Sequence, residues 1–206
     1  MISLEALNHP EIAAEKKGTK ETEESDDATV ALCDAVAAEI KKMELNPEEI
    51  KVCDMGCKFG LVGQELNRLG FANITGIDKE HDMLTISAKK QAYDGLMRMM
   101  VGSPSNTPES LAKHFEVVTI SQLLYGPQST AVFDEALNCL KKNGLAAFTT
   151  RESCLKDCSF QMVIDELSSK YVWKKVLQKR VPVPRNPTSP HETGHKDIIM
   201  FIFKKV

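Results

Sequence analysis

The chain has 206 residues, 42% of them apolar and 27% charged, which suits one soluble domain with a full core and leaves little for a second. The net charge of −3 hides an asymmetry: residues 1–28 carry eight acids against Lys16, Lys17 and Lys20, and the rest of the chain holds 23 basic and 21 acidic residues. A near-neutral body gives no electrostatic case for nucleic acid, no apolar run approaches the ~20 residues of a membrane span, and the first ten residues lack the layout of a signal peptide.

Residues 1–26, rich in Glu, Lys, Ser and Thr, read as an acidic flexible arm, and residues 27–206 as the domain proper. Ser25 or Asp26 can cap a helix in which Val30, Cys33, Val36, Ile40 and Met43 recur at helical spacing, until Asn46-Pro47 stops it. Ile50–Asp54 is then a strand, and Leu61–Leu69 a helix closed by Gly70. Asn73–Asp78 is the second strand, followed by a helix from about Asp82 to Ala92. Leu96–Val101 is the third strand, with a short helix over Pro108–His114. The apolar run Phe115–Ser121 suits a central strand buried on both faces.

Ser129–Asn143 reads as a helix whose last turn is complemented by Lys141 and Lys142 and ended by Gly144. Leu145–Thr149 follows as a strand, and Ser153–Lys170 as a helix with Phe160, Val163, Ile164 and Leu167 at core spacing. Tyr171–Val183 and Asp197–Lys204 are strands with no helix between them, so they pair antiparallel. The lysines and arginines from Lys174 to Arg185 belong to a solvated sheet edge. The resulting fold class is α/β: a Rossmann-like, doubly wound, mostly parallel seven-stranded sheet with a C-terminal antiparallel hairpin.

The six cysteines show no C-x-x-C spacing, so buried or half-buried free thiols are expected, with no metal and a cytoplasmic address. His191-Glu192-Thr193-Gly194-His195 matches the zinc-hydrolase spacing formally. It sits between Pro190 and a strand with Gly194 inside it, where helical geometry fails, and a polar hairpin loop is the better reading.

Chemistry concentrates where the first strand ends. Asp54-Met55-Gly56-Cys57-Lys58-Phe59-Gly60 is a strand-ending acid followed by a glycine-bearing turn into a helix, and Gly76-Ile77-Asp78 ends the second strand in another acid. In a doubly wound sheet, ligands bind outside the carboxyl ends of the strands at this point, with glycines allowing close backbone approach and the helix N-terminus offering free amides. Gly60-Leu61-Val62-Gly63 gives half of a dinucleotide fingerprint, but position 58 breaks it and no dehydrogenase catalytic pair is apparent.

The segment Asp54 to Val62 resembles motif I of the class I S-adenosylmethionine-dependent methyltransferases, written D-x-G-x-G-x-G. Gly76-Ile77-Asp78-Lys79-Glu80-His81-Asp82-Met83-Leu84 resembles their second motif, and Asn143 to Arg151 their strand-five segment. Gly60-Leu61-Val62, Glu65-Leu66 and Gly70-Phe71, with Thr149-Thr150-Arg151, are most like the Williams–Beuren-region methyltransferase-like family. The likeness implies S-adenosylmethionine as cofactor, S-adenosylhomocysteine as product and methyl transfer as the activity. It implies cofactor contacts from Asp54, Gly56, Cys57, Lys58, Gly60 and Asp78, with Lys79 and Met83 flanking the adenine, Gly102 and Ser103 on its far side, and Ser121 facing the transfer centre.

Lys58 departs from the motif, standing where its middle glycine would be. That departure raises a second reading, a non-catalytic methyltransferase-like binding or regulatory protein. Ser121-Gln122-Leu123-Leu124 stands where base-methylating relatives carry N/D-P-P-Y. The acceptor is therefore expected to be a small molecule, with no nucleic acid and no membrane among the partners and a protein partner left open. No catalytic residue is singled out, since displacement at a sulfonium carbon needs chiefly alignment and desolvation.

Overall fold

The computed structural model describes residues 27–102, 108–121, 129–156, 158–182 and 198–206. The acidic arm, Ser103 and the His191–His195 motif lie outside the described residues.

Alternation of apolar and turn residues produces seven strands in one sheet. They are β1 (Lys51–Met55), β2 (Asn73–Asp78), β3 (Gly95–Arg98), β4 (Phe115–Ile120), β5 (Leu140–Arg151), β6 (Trp173–Val181) and β7 (Ile198–Lys205). Their order is β3-β2-β1-β4-β5-β7-β6. The first five are parallel, and β7 runs antiparallel between β5 and β6. β7 takes that interior place because Ile199 to Phe203 are buried on both faces. β6, with exposed Lys174, Lys175, Lys179 and Arg180, forms the edge, where charged side chains discourage pairing with another chain.

Helices α1 (Asp27–Lys42), α2 (Leu61–Arg68) and α3 (His81–Lys89) cover one face. Leu32, Cys33, Val36 and Ile40 of α1, Val62 and Leu66 of α2 and Leu84 of α3 pack there with Val52, Ile74, Val117, Leu145 and Ile202. α4 (Ser129–Cys139), α5 (Glu152–Lys156) and α6 (Cys158–Lys170) cover the other, where Phe133, Leu137, Val163 and Leu167 meet Cys53, Val118, Phe148, Phe201 and Phe203.

Four expectations need correction. The helix expected over 129–143 ends at Cys139, because Leu140 already pairs with Phe115 and the β4–β5 register slips before Val117. Asn143 turns the chain at φ 65°, and a Cβ on Gly144 would lie 2.9 Å from the Glu116 carbonyl, so that glycine serves close strand approach rather than a helix cap. Lys141 pairs with Glu116 instead of the helix end. The terminal carbonyls Leu137 O and Leu140 O receive the Lys205 ammonium from β7, which fills the cationic role that helix termini favour.

The helix expected over 153–170 forms as two, α5 and α6. The short helix at 108–114 is a single 3₁₀ turn, Glu109–Leu111, and β3 stops at Arg98 rather than Val101. There the chain leaves the ladder: Met99 N–H donates to the Asp78 carbonyl at 2.9 Å, and the next segment turns at Gly102.

Candidate functional site

Strand order reverses between β1 and β4, so the crevice lies at the carboxyl ends of β1, β2 and β4. The loop from Gly56 to Gly60 crosses it and is tied through the amides of Gly56, Cys57, Lys58 and Gly60. The amides of Gly56 and Cys57 donate to the Ile77 carbonyl at 2.7 and 3.0 Å, and Gly60 N–H donates to the Cys57 carbonyl at 2.7 Å. Lys58 N–H donates to Asp78 Oδ2 at 2.9 Å, and the buried Ser87 hydroxyl of α3 donates to the Lys58 carbonyl at 2.6 Å. Asp78 Oδ1 accepts the Glu80 N–H at 2.9 Å. Both oxygens of this carboxylate are thus held by backbone amides from the two loops, and each keeps acceptor capacity for a ligand.

Gly60 occupies the left-handed region at φ 76° as the residue before α2, where an L side chain is disfavoured. Lys58 also sits there, at φ 46°. Its side chain is half-exposed, and among the described residues its ammonium has no hydrogen-bond or ion-pair partner. At the tip of α2, Gly63 N–H is taken by the Tyr93 hydroxyl at 3.1 Å and Gln64 N–H by the Gly60 carbonyl. That leaves the amides of Leu61 and Val62 as the orphan donors of the helix start among the described residues.

Beneath the loop lies a network that the sequence reading missed. Tyr93 is buried, and its hydroxyl donates to Asp54 Oδ2 at 2.8 Å while accepting from Gly63. Thr119 Oγ1 of β4 donates to Asp54 Oδ1 at 3.0 Å. Asp54 is therefore 0% exposed, with one hydroxyl on each oxygen. Burial pushes its pKa up to about 6 against the lowering effect of those two hydrogen bonds. The Tyr93 phenol is pushed well above its usual value by burial and by the neighbouring carboxylate.

The Tyr93 ring fits in a slot made by missing side chains. A Cβ on Gly63 would lie 2.3 Å from Tyr93 Cζ, and one on Gly76 would lie 2.8 Å from Tyr93 Cε1. Gly63 and Gly76, to which the sequence assigned no ligand contact, thus admit a tyrosine. The available signal was a polar residue inside each of two apolar strands, Asp54 and Thr119, which the register sets directly opposite.

The remaining expected residues divide by position. Lys79, exposed, lines a hollow of about 440 Å³ with Arg98, Met99 and Met100 beyond the ends of β2 and β3. Arg98 Nε donates to the Lys79 carbonyl at 3.1 Å, which braces that rim. Met83 is half-buried on α3, Cys57 is buried in the loop, and Ser121 is half-buried just past β4. Gly102 turns at φ 84° and its amide donates to the buried Glu135 carboxylate of α4. The structure brings Gly56, Cys57, Lys58, Gly60 and Asp78 together in one bonded loop, and sets Asp54 below it as a support.

Among the described residues, Cys33, Cys53, Cys57 and Cys139 are buried free thiols and Cys154 is half-buried. No group of His, Cys, Asp and Glu there could hold a metal, and no described helix is long and apolar enough to cross a membrane.

A methyltransferase-domain family profile matches residues 52–144. A ubiquinone biosynthesis O-methyltransferase of Pelagibacter ubique is 28% identical over 143 residues, 64% of this chain and 57% of that protein. The protein of the same name from Xanthomonas axonopodis pv. citri is 27% identical over 117 residues, 56% of this chain and 48% of its own length. The chain thus spans about half the length of the curated relatives it matches. Among solved structures, magnesium protoporphyrin IX methyltransferase from Synechocystis with bound S-adenosylmethionine superposes with a TM-score of 0.62 at 14% identity. That match covers 93% of this chain and 87% of the other, a likeness of fold.

Proposed function

We propose that the chain is a class I S-adenosylmethionine-dependent methyltransferase, a reading supported by the methyltransferase-domain match and the curated relatives, and that it binds S-adenosylmethionine over the 56–60 loop and directs methyl transfer to a small-molecule acceptor. The observation that carries this reading is Asp78, whose carboxylate stands at the mouth of the crevice with each oxygen held by one backbone amide. A pre-set pair of acceptors suits the two ribose hydroxyls.

Bound there, the cofactor supplies an electrophilic methyl group on a sulfonium. The chain's residues then bind and orient. Gly56 and Gly60 let the backbone pass close to the methionine part, and the Leu61 and Val62 amides suit its carboxylate. Lys79, Met83, Met99 and Met100 offer the adenine an apolar wall with a cationic rim, with Gly102 at the far side and Ser121 toward the transfer centre. Buried Asp54 adds negative charge beneath the sulfonium when it is ionised.

A small-molecule acceptor is supported by relatives whose name states an O-methylation in ubiquinone biosynthesis. The near-neutral body of the chain supports leaving nucleic acid out. A cytoplasmic location, one domain over 27–206 with an acidic arm before it, and kinship with the Williams–Beuren-region family belong to the same proposal.

Lys58 favours a second reading, since a cationic side chain at a left-handed loop position introduces bulk and charge beside a cationic ligand. That reading makes the protein a binding or regulatory relative without transfer activity. Calorimetric titration with S-adenosylmethionine and S-adenosylhomocysteine decides between them. Micromolar binding by the natural chain, weakened ~10-fold or more in Asp78→Ala by loss of a charged hydrogen-bond pair, supports the enzyme. Binding absent from the natural chain but present in Lys58→Gly supports the alternative, and absence from both removes the cofactor reading.

A further inference from the structure

The buried carboxylate below the loop sits in a hydrogen-bond network with two complete arrangements. The Tyr93 hydroxyl accepts the Gly63 N–H at 3.1 Å, which directs its own hydrogen to Asp54 Oδ2 at 2.8 Å. Thr119 has a choice of acceptors: its Oγ1 lies 3.0 Å from Asp54 Oδ1 and 3.4 Å from the Cys53 carbonyl. With Asp54 ionised, both hydroxyls donate to it, one to each oxygen. With a proton on Oδ1, Asp54 donates to Thr119 Oγ1, and the threonine turns its hydrogen to the Cys53 carbonyl. Neither arrangement leaves the carboxyl without a partner, and no heavy atom has to move between them.

A link between β1, β4 and α2 does not need a carboxyl group. An asparagine at position 54 would accept from Tyr93 through its oxygen and donate to Thr119 through its amide, without the cost of a buried charge. What the carboxylate adds is a charge that a proton can remove. Burial opposes that charge and the Tyr93 and Thr119 hydrogen bonds favour it, while Asp78 at the end of β2 opposes it and Lys58 in the loop favours it. The other titratable groups around it are the thiols of Cys33 on α1, Cys53 on β1 and Cys57 in the loop, and the Tyr93 phenol. All four are pushed upward by burial, so none of them gains charge near neutrality.

This charge lies under a place where the ligand's own charge changes. The loop that begins two residues after Asp54 is the one proposed to carry the cofactor. S-adenosylmethionine has a positive sulfonium, and S-adenosylhomocysteine a neutral thioether in the same frame. Opposite unit charges ~12 Å apart, at an effective dielectric of ~20, attract enough to change affinity about tenfold. Asp54 therefore needs no contact with the ligand to respond to it.

We propose that Asp54, with Tyr93 and Thr119 as its positioning residues, distinguishes the two forms of the cofactor by charge: it stands ionised under the sulfonium and takes up a proton under the thioether. The inference rests on the S-adenosylmethionine reading above. It adds that binding the sulfonium form releases a proton that binding the thioether form does not. The preference for the charged form then grows as pH rises, because deprotonation no longer has to accompany binding.

Calorimetric titration of the full chain with each ligand from pH 4.5 to pH 7, in two buffers of different ionisation heat, reads both effects. The ratio of S-adenosylmethionine to S-adenosylhomocysteine affinity should rise about tenfold over this range. At pH 5.5, S-adenosylmethionine should release about half a proton and S-adenosylhomocysteine none. Asp54→Asn should abolish both the rise and the release. Tyr93→Phe keeps the ring in its slot and removes one hydrogen bond to the charged form, so the rise should move up by about one pH unit. A merely structural tyrosine would weaken both ligands alike and leave the window in place.

An affinity ratio that does not change with pH, equal proton release by both ligands, or a rise that persists in Asp54→Asn would each overturn the proposal. Whether S-adenosylhomocysteine binds at all judges the underlying reading separately. If it binds with a pH-independent ratio, the cofactor site stands and the charge-sensing role of Asp54 falls. If neither ligand binds, both fall.

Discussion

At the scale of single residues, Asp54 is the most consequential group in the protein. It is fully buried, and two hydroxyls offset only part of the cost of its charge, so its pKa stands near 6 against 3.8 for an ordinary carboxylate. The native state therefore holds a proton that the unfolded chain releases between those values. Asp54 costs no stability below about pH 4, an increasing amount as pH rises through the window, and a constant amount above about pH 6. The full cost is about 3 kcal/mol at 1.36 kcal/mol per unit. We expect the stability of the natural chain relative to Asp54→Asn to fall by about 2–3 kcal/mol between pH 4 and pH 7, measured by urea denaturation at a series of pH values. A pH-independent difference would mean that Asp54 keeps an ordinary pKa. Its burial was not legible from sequence, because a strand-ending acid at the head of a glycine loop looks the same whether it faces ligand or core.

At the scale of elements, the loop, α2 and the approach to β3 are joined through one ring. Tyr93 lies against Gly63 of α2 and Gly76 of β2, and its hydroxyl joins α2 to β1. Gly63→Ala puts a methyl group 2.3 Å from Tyr93 Cζ, too close for any rotamer adjustment of the alanine to relieve. It should destabilise by about 2–3 kcal/mol through overpacking. Combining it with Tyr93→Ala should cost at least about 1 kcal/mol less than the sum of the two single changes, because the second removes the clash created by the first. Strict additivity in urea midpoints would show that the ring and the glycine do not share the slot. The element pattern itself was readable: β2 forms over exactly the span expected, and α2 and β4 end one residue early. The boundary of α4 was not, because whether Leu140 extends a helix or starts a strand depends on Phe115, a residue 25 positions earlier.

At the scale of the whole molecule, the C-terminal pair β6–β7 closes the sheet and completes the aromatic cluster under α6. Phe148 stacks on Phe201 and Phe203 at 5.2 and 5.8 Å, and Trp173 stacks on Phe203 at 4.4 Å. The Trp173 indole N–H donates to Ser168 Oγ of α6 at 2.9 Å. As the only tryptophan, it reports the docking of the edge strand onto β7 and α6. If the described elements fold as one cooperative unit, tryptophan emission and far-UV circular dichroism will give coincident urea transitions. An earlier emission transition would mean that the β6–β7 edge opens by itself. Phe201→Ala should lower the midpoint of both probes together, at a cost of about 3–5 kcal/mol for a buried aromatic.

The sequence by itself determined the layers, the parallel core, the antiparallel ending and the loop that marks the crevice. Each follows from local periodicity, turn residues and an acid at a strand end, which are properties of short segments. Tertiary structure decided what those segments could not encode singly. It buried Asp54 beneath the loop, gave Gly63 and Gly76 to Tyr93, and supplied the end of α4 with Lys205 from β7. The physical reason is the same in each case. Burial, a pKa and a hydrogen-bond partner depend on residues 17 to 68 positions away, and those distances close only when the sheet is assembled.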